Sequence, residues 1–173
     1  MLHLKSALVT LANVCDFEAT ARASYKEFAK PAAVFKPLRK QFELAKYLRN
    51  KFVGHIHPEL LAKALEWQPT LRQVLPSGND PRVMLLVNLW LLETAINTYV
   101  ESDGTHKVFA SELDLMYPPD WERFARYLES TIRGGIEYLV LIREYWAPRA
   151  VPVSPEPFSI EAALRAGREP HTG

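Results

Sequence analysis

The stretch FKPLRKQFELAKYLRNKFVGHI, residues 35–56, decides the fold expected for this chain. When it is wound as a helix at about 100° per residue, one face collects six apolar side chains and a single cation. The members of this seam are Phe35, Leu38, Phe42, Ala45, Arg49, Phe52 and Ile56. Such a stripe is typical of a helix that packs against neighbouring helices. Because arginine is rarely buried without a partner, Arg49 should bind an acid or face a second chain or a ligand.

Helical periodicity extends over most of the remaining chain, and no convincing alternation of period two interrupts it. Outside the seam, the pattern predicts helices over 4–28, from Pro58, and over 83–99, 108–116 and 120–146. Asp80 followed by Pro81 predicts a helix start with a cap and a first-turn proline. The helix 83–99 is apolar on nearly all sides, so we expect it to be the central element. The predicted fold class is therefore all-α, an antiparallel bundle of about five helices.

The chain is expected to form one domain, since its 173 residues suffice for a single core. We place the helical bundle at residues 1–147 and a proline-rich C-terminal tail, mobile or packed on a partner, at residues 148–173. Gly134 and Gly135 inside the last helix predict the close approach of another helix, because glycine otherwise weakens a helix.

Composition narrows the classes of protein that fit. With 48% hydrophobic and 24% charged residues, the chain has ordinary globular usage and is not expected to be disordered as a whole. The single Cys15 excludes an intramolecular disulfide. No signal peptide or membrane span is expected, which favours a cytoplasmic location.

The net charge of +1 predicts no strong attraction of the whole molecule to nucleic acid, but the charge is unevenly distributed. Residues 36–51 hold six basic side chains against one acidic side chain, a net of +5. Residues 101–122 hold six acidic side chains against one basic side chain, a net of −5. Any interaction with an anion is therefore expected at a local patch, although each run also fits an ordinary solvated surface.

The octapeptide Leu48-Arg49-Asn50-Lys51-Phe52-Val53-Gly54-His55 resembles the signature of the HEPN superfamily, in which a histidine follows an arginine and a polar residue. The resemblance implies a HEPN-like all-α bundle with two long central helices. It also implies a homodimer in which both copies of the motif face one cleft. Many members are metal-independent endoribonucleases of toxin–antitoxin and phage-defence systems, so an RNA substrate and an antitoxin or other regulatory protein are the implied partners.

The residue types suit such chemistry. Histidine can act as acid or base near neutral pH, and the guanidinium group matches a phosphate with two parallel hydrogen bonds. We therefore assign catalytic roles to Arg49, His55 and Asn50, with no metal and no cofactor. Sequence-independent contacts to the RNA backbone are assigned to Lys40, Lys46 and Lys51.

Alternatives remain open at this point. Arg49 also fits an internal ion pair with an acid such as Glu93 or Glu137, and His55 fits a residue that caps a helix end. On an unbroken helix Arg49 and His55 would lie about 120° apart, so a break at Gly54 or a dimer would be needed to bring them together. The alternative function is a catalytically inactive HEPN-like protein that binds a partner, a nucleotide or RNA.

Overall fold

The computed structural model describes residues 1–54, 56–77 and 80–150, and all regular secondary structure in this part of the chain is helical. The α-helices are α1 (Leu2–Ala21), α2 (Lys30–Leu48), α3 (Pro58–Trp67), α4 (Leu71–Val74), α5 (Pro81–Asn97) and α6 (Pro118–Trp146). Short 3₁₀ helices cover Arg22–Lys26, Leu75–Ser77 and Ala147–Arg149, and a π-helical turn covers Arg49–Val53. The predicted all-α class is confirmed, with six α-helices in place of about five.

Helix α2 is the centre of the molecule, and the expectation that 83–99 would be central is wrong. Helix α2 contacts α1, α5 and α6, whereas α3 packs mainly on α5. The seam residues Phe35, Phe42 and Ala45 are buried. By contrast, Met84 and Leu85 near the start of α5 are exposed. The neighbouring helices thus leave part of the apolar surface of α5 exposed.

The two adjacent glycines of α6 allow it to lie close to α2, as the sequence predicted. Both Gly134 and Gly135 are buried. A Cβ atom at Gly134 would collide with the side chain of Leu38, and one at Gly135 would lie 3.5 Å from the ring of Phe42. The absence of side chains at these positions therefore sets the distance between the two helices.

The start of α5 is also as predicted, since the Asp80 carboxylate accepts a hydrogen bond of 2.8 Å from the Arg82 amide and Pro81 is the first helical residue. The predicted helix 108–116 is wrong, because this segment is irregular. Its amide groups at Leu113 and Leu115 donate to the side chains of Asn97 and Glu93, at 2.9 and 2.8 Å. Side chains of α5 thus take the place of helical hydrogen bonds.

Two further expectations concern the C-terminal tail and membrane-spanning helices. Of the predicted tail 148–173, only residues 148–150 lie within the described residues. Arg149 stacks over the ring of Tyr145, 3.9 Å from its centroid. In the described ranges, no helix is both long enough and apolar enough to cross a bilayer.

Candidate functional site

Arg49 lies at the end of α2, where the α-helix changes into the π-helical turn Arg49–Val53. The Gly54 amide donates to the Arg49 carbonyl oxygen at 2.9 Å, which is the wider spacing of a π-turn. The side chain of Arg49 is 24% exposed. The guanidinium is therefore partly buried at the edge of the bundle. Single π-turns inside helices occur frequently at functional sites.

The partners of Arg49 come from α1 and from its own neighbour. Its Nη1 atom donates to the Asp16 carboxylate at 2.8 Å and to the Asn13 side-chain oxygen at 3.4 Å. Its Nε atom donates to the Asn50 side-chain oxygen at 3.1 Å. The acids considered from the sequence, Glu93 and Glu137, are not its partners. Sequence reasoning missed Asp16, although Asn13 and Asp16 form a polar pair one turn apart on α1.

Asp16 binds a second cation as well. The Lys46 ammonium lies 2.6 Å from the Asp16 carboxylate, and this hydrogen bond, followed by the one from Arg49, holds the pKa of Asp16 below its ordinary value of 3.8. The carboxylate is therefore ionised at neutral pH and cannot serve as a proton donor. We call Asp16, Lys46 and Arg49 the Asp16 cluster, which carries two positive charges and one negative charge.

The Asp16 cluster is open to solvent and has a net charge of +1. The Asp16 side chain is 41% exposed and that of Lys46 is 45% exposed, so both reach solvent. A phosphate matches the planar fork of the guanidinium better than a point charge does. Because the carboxylate occupies part of that fork, an incoming phosphate has to share Arg49 with Asp16 or displace it.

Of the three lysines to which RNA contacts are assigned, only Lys46 lies at the Asp16 cluster. Lys46 joins Arg49 at Asp16, whereas Lys51 lies 3.8 Å from Glu59 of α3. Lys40 is exposed on α2, but it lies six residues before Lys46 and so about 120° around the helix from it. A single strand of RNA at the Asp16 cluster would therefore meet Lys46 directly and Lys40 only around the surface of α2.

His55 lies outside the described residues, so its distance from Arg49 is not part of the described geometry. The π-turn nevertheless removes the reason for expecting Arg49 and His55 to lie on different faces of one helix. The separation of about 120° holds only for an unbroken α-helix, and residues 49–53 do not follow that geometry.

A second polar cluster surrounds Glu18, in the last turn of α1, and was not found from the sequence. The carboxylate of Glu18 is buried, with 1% of its side chain exposed. It accepts hydrogen bonds from Arg22 at 2.8 Å, Arg39 at 3.2 Å and the Tyr25 hydroxyl at 3.3 Å. The hydroxyl groups of Tyr25 and of Tyr138 of α6 are 3.1 Å apart, within hydrogen-bonding distance, and burial raises the pKa of both tyrosines. We call this group the Glu18 cluster.

Within residues 1–54, 56–77 and 80–150, no group of three His, Cys, Asp or Glu side chains is placed to hold a metal ion. No protein-family model, curated protein or solved structure matches the chain. The residues of the site themselves therefore have to support any statement about function.

Proposed function

We propose that the chain is a HEPN-type, metal-independent endoribonuclease, a toxin or defence effector that a regulatory protein holds inactive. The main support is the position of Arg49. It is displayed at the edge of the bundle on a π-turn, it precedes His55 by six residues, and side chains on two sides hold its guanidinium in place. A guanidinium kept in this way suits the charge that develops on a phosphate during cleavage.

The reaction would be an internal transfer within RNA. A base takes the proton of the 2′-hydroxyl, the 2′-oxygen forms a bond to phosphorus, and the bond from phosphorus to the 5′-oxygen breaks as an acid protonates that oxygen. The products are a 2′,3′-cyclic phosphate and a free 5′-hydroxyl. Arg49 would stabilise the extra negative charge on the phosphorane, and Asn50 would hold the guanidinium in orientation.

Two proton transfers call for two groups near neutral pKa, and one chain offers one histidine at this position. A homodimer supplies His55 twice, so that one copy acts as base and the other as acid at a shared cleft. Lys40, Lys46 and Lys51 would bind flanking phosphates without sequence preference.

The test is cleavage of single-stranded RNA by the purified full chain in the presence of EDTA. We expect His55→Ala to lower the rate by about 100-fold or more, the usual contribution of a positioned acid or base. His57→Ala is the matched control, since it removes a histidine two residues away and should leave cleavage unchanged. Product ends should carry the 2′,3′-cyclic phosphate. Absence of cleavage, or equal cleavage by His55→Ala, contradicts the proposal.

A second candidate function is supported by a specific contact. Asp16 already partly neutralises both Arg49 and Lys46, which suits a catalytically inactive HEPN-like protein that binds RNA, a nucleotide or a protein partner. It predicts RNA binding without turnover, an affinity that His55→Ala leaves unchanged, and weaker binding after Lys46→Glu or Lys40→Glu. Under either function, Asp16→Asn should tighten RNA binding, because it frees two cations for phosphate.

A further inference from the structure

Helix α6 carries an apolar stripe that the described chain leaves exposed. Ile132, Ile136 and Val140 follow one another at intervals of four residues, and they are 39–60% exposed. At the helical rotation of 100° per residue they span about 80° of the helix surface. Exposed apolar side chains that adjoin one another, unlike scattered ones, are a feature of interaction surfaces.

A groove borders this stripe on the side of α1. It has a volume of about 220 Å³ and is lined by Ala7, Leu11 and Val14 of α1 together with Ile132, Ile136 and Leu139 of α6. Its walls are almost entirely apolar. A second helix laid along the stripe would therefore contact both the row of isoleucine and valine side chains and the wall that α1 provides.

The stripe and the charges at its ends are symmetric in position about Ile136. Ile132 lies four residues before it and Val140 four residues after it. Glu129 lies seven residues before it and Arg143 seven residues after it, on the same face of the helix. Both charged residues are exposed, and Glu129 also binds Arg133 of its own chain at 2.8 Å. Apolar positions thus match apolar positions, while the charges at the two ends are opposite in sign.

We propose that this stripe binds a second copy of the chain, with two α6 helices antiparallel about a two-fold axis at Ile136. In that arrangement Ile132 of each copy faces Val140 of the other, and Glu129 of each copy faces Arg143 of the other. A two-fold interface requires such self-complementarity, and opposite charges at the ends of an antiparallel helix pair fix its direction and register.

This interface is distinct from the Asp16 cluster. The groove residues Leu11 and Val14 lie on one side of α1, whereas Asn13 and Asp16, which bind Arg49, lie on another. The inference therefore does not rest on the proposed function. Where the cleft dimer of that function also forms, the two contacts together give a tetramer. Loss of the α6 contact then leaves the cleft dimer, whose cleavage of RNA reports on that function separately.

Sedimentation equilibrium of the full chain tests the proposal. We expect the wild type to associate through α6, as a dimer or, where the cleft dimer also forms, as a tetramer. We expect Ile136→Glu to weaken this association by about 100-fold or more, because it places two carboxylates against each other at the axis. Leu85→Glu, at an exposed apolar position of α5, is the matched control and should dimerise as the wild type does. A monomeric wild type, or an Ile136→Glu variant that keeps the association state and affinity of the wild type, overturns the proposal.

A charge exchange tests the register. Glu129→Arg alone and Arg143→Glu alone should each weaken the dimer by about tenfold, since each turns two attractive pairs into repulsive ones. The double variant Glu129→Arg, Arg143→Glu restores opposite charges across the axis and should recover most of the loss. If the double variant is weaker than either single variant, the antiparallel pairing at Ile136 is wrong.

Discussion

Asp16 and Glu18 are carboxylates on the same helix, and each binds two cationic side chains, yet their surroundings differ. The side chain of Glu18 is 1% exposed, and α2, α6 and the 3₁₀ helix after α1 surround it. The side chain of Asp16 is 41% exposed at the outer edge of α1 and α2. Two residues apart on a helix, they point to nearly opposite sides. The same ion-pair chemistry thus involves a buried carboxylate at Glu18 and an exposed carboxylate at Asp16.

The difference predicts that the two carboxylates contribute unequally to the stability of the fold. A buried charge that loses its partner has no water to replace it, so its contacts are fixed features of the fold. An exposed ion pair contributes little to stability and exchanges readily with solvent or with another anion. The Glu18 cluster therefore holds helices together, whereas the ion pairs of the Asp16 cluster exchange readily with solvent.

The largest expected effect follows from neutralising the buried acid. Glu18→Gln keeps the shape of the side chain but removes the charge that Arg22 and Arg39 bind, so we expect the free energy of unfolding to fall by about 2–3 kcal/mol. Urea denaturation measures it. Asp16→Asn, the matched amide variant at the surface, should cost only about 0.5 kcal/mol. Equal losses for the two variants would contradict the division between the clusters.

The sequence predicted the packing faces of the helices but not the ion pairs of the two clusters. The pattern of residues 35–56 correctly identified Phe35, Phe42 and Ala45 on the buried face of α2, but α2 ends at Leu48 and Ile56 is exposed outside any helix. Gly134 and Gly135 correctly predicted the close contact with α6. These are local periodicities, which a single helix reveals by itself. The partner of Arg49 depends on how α1 and α2 slide and rotate against each other, so Asp16 could not be chosen over other acids from spacing alone.

The segment 108–116 illustrates another limit. Its apolar residues suggested a short helix, but the amides of Leu113 and Leu115 bind side chains of α5. Hydrogen bonds between distant parts of the chain override local preference here. The sequence also did not reveal the burial of Glu18, since an acid four residues before an arginine fits an exposed ion pair on a helix just as well.

The pH dependence sharpens the comparison at the surface site. Because Lys46 and Arg49 lower the pKa of Asp16 below 3.8, the ionised form is favoured in the folded state. The ionised carboxylate contributes its full share to the free energy of unfolding above the pKa that Asp16 has in the unfolded chain. This contribution is lost as the pH falls through the pKa of Asp16 in the folded chain. The stability difference between wild type and Asp16→Asn should therefore be constant above about pH 5 and vanish in more acid solution. Urea titrations between neutral pH and pH 2–3 measure it, and a difference that grew on acidification would contradict the ion pairs.

The smallest expected effect is that of salt. Raising NaCl to about 1 M shortens the screening length to about 3 Å, which weakens interactions between exposed charges but reaches buried ones poorly. The small cost of Asp16→Asn should then approach zero, while the cost of Glu18→Gln should persist, as denaturation of both variants at low and high salt can show. The same experiment bears on function, because a guanidinium that salt frees from Asp16 is also one that a phosphate can reach. If salt reduced the loss of unfolding free energy in Glu18→Gln as much as in Asp16→Asn, solvent would have access to both carboxylates. The difference in exposure would then no longer favour the Asp16 cluster as the site that binds an anion.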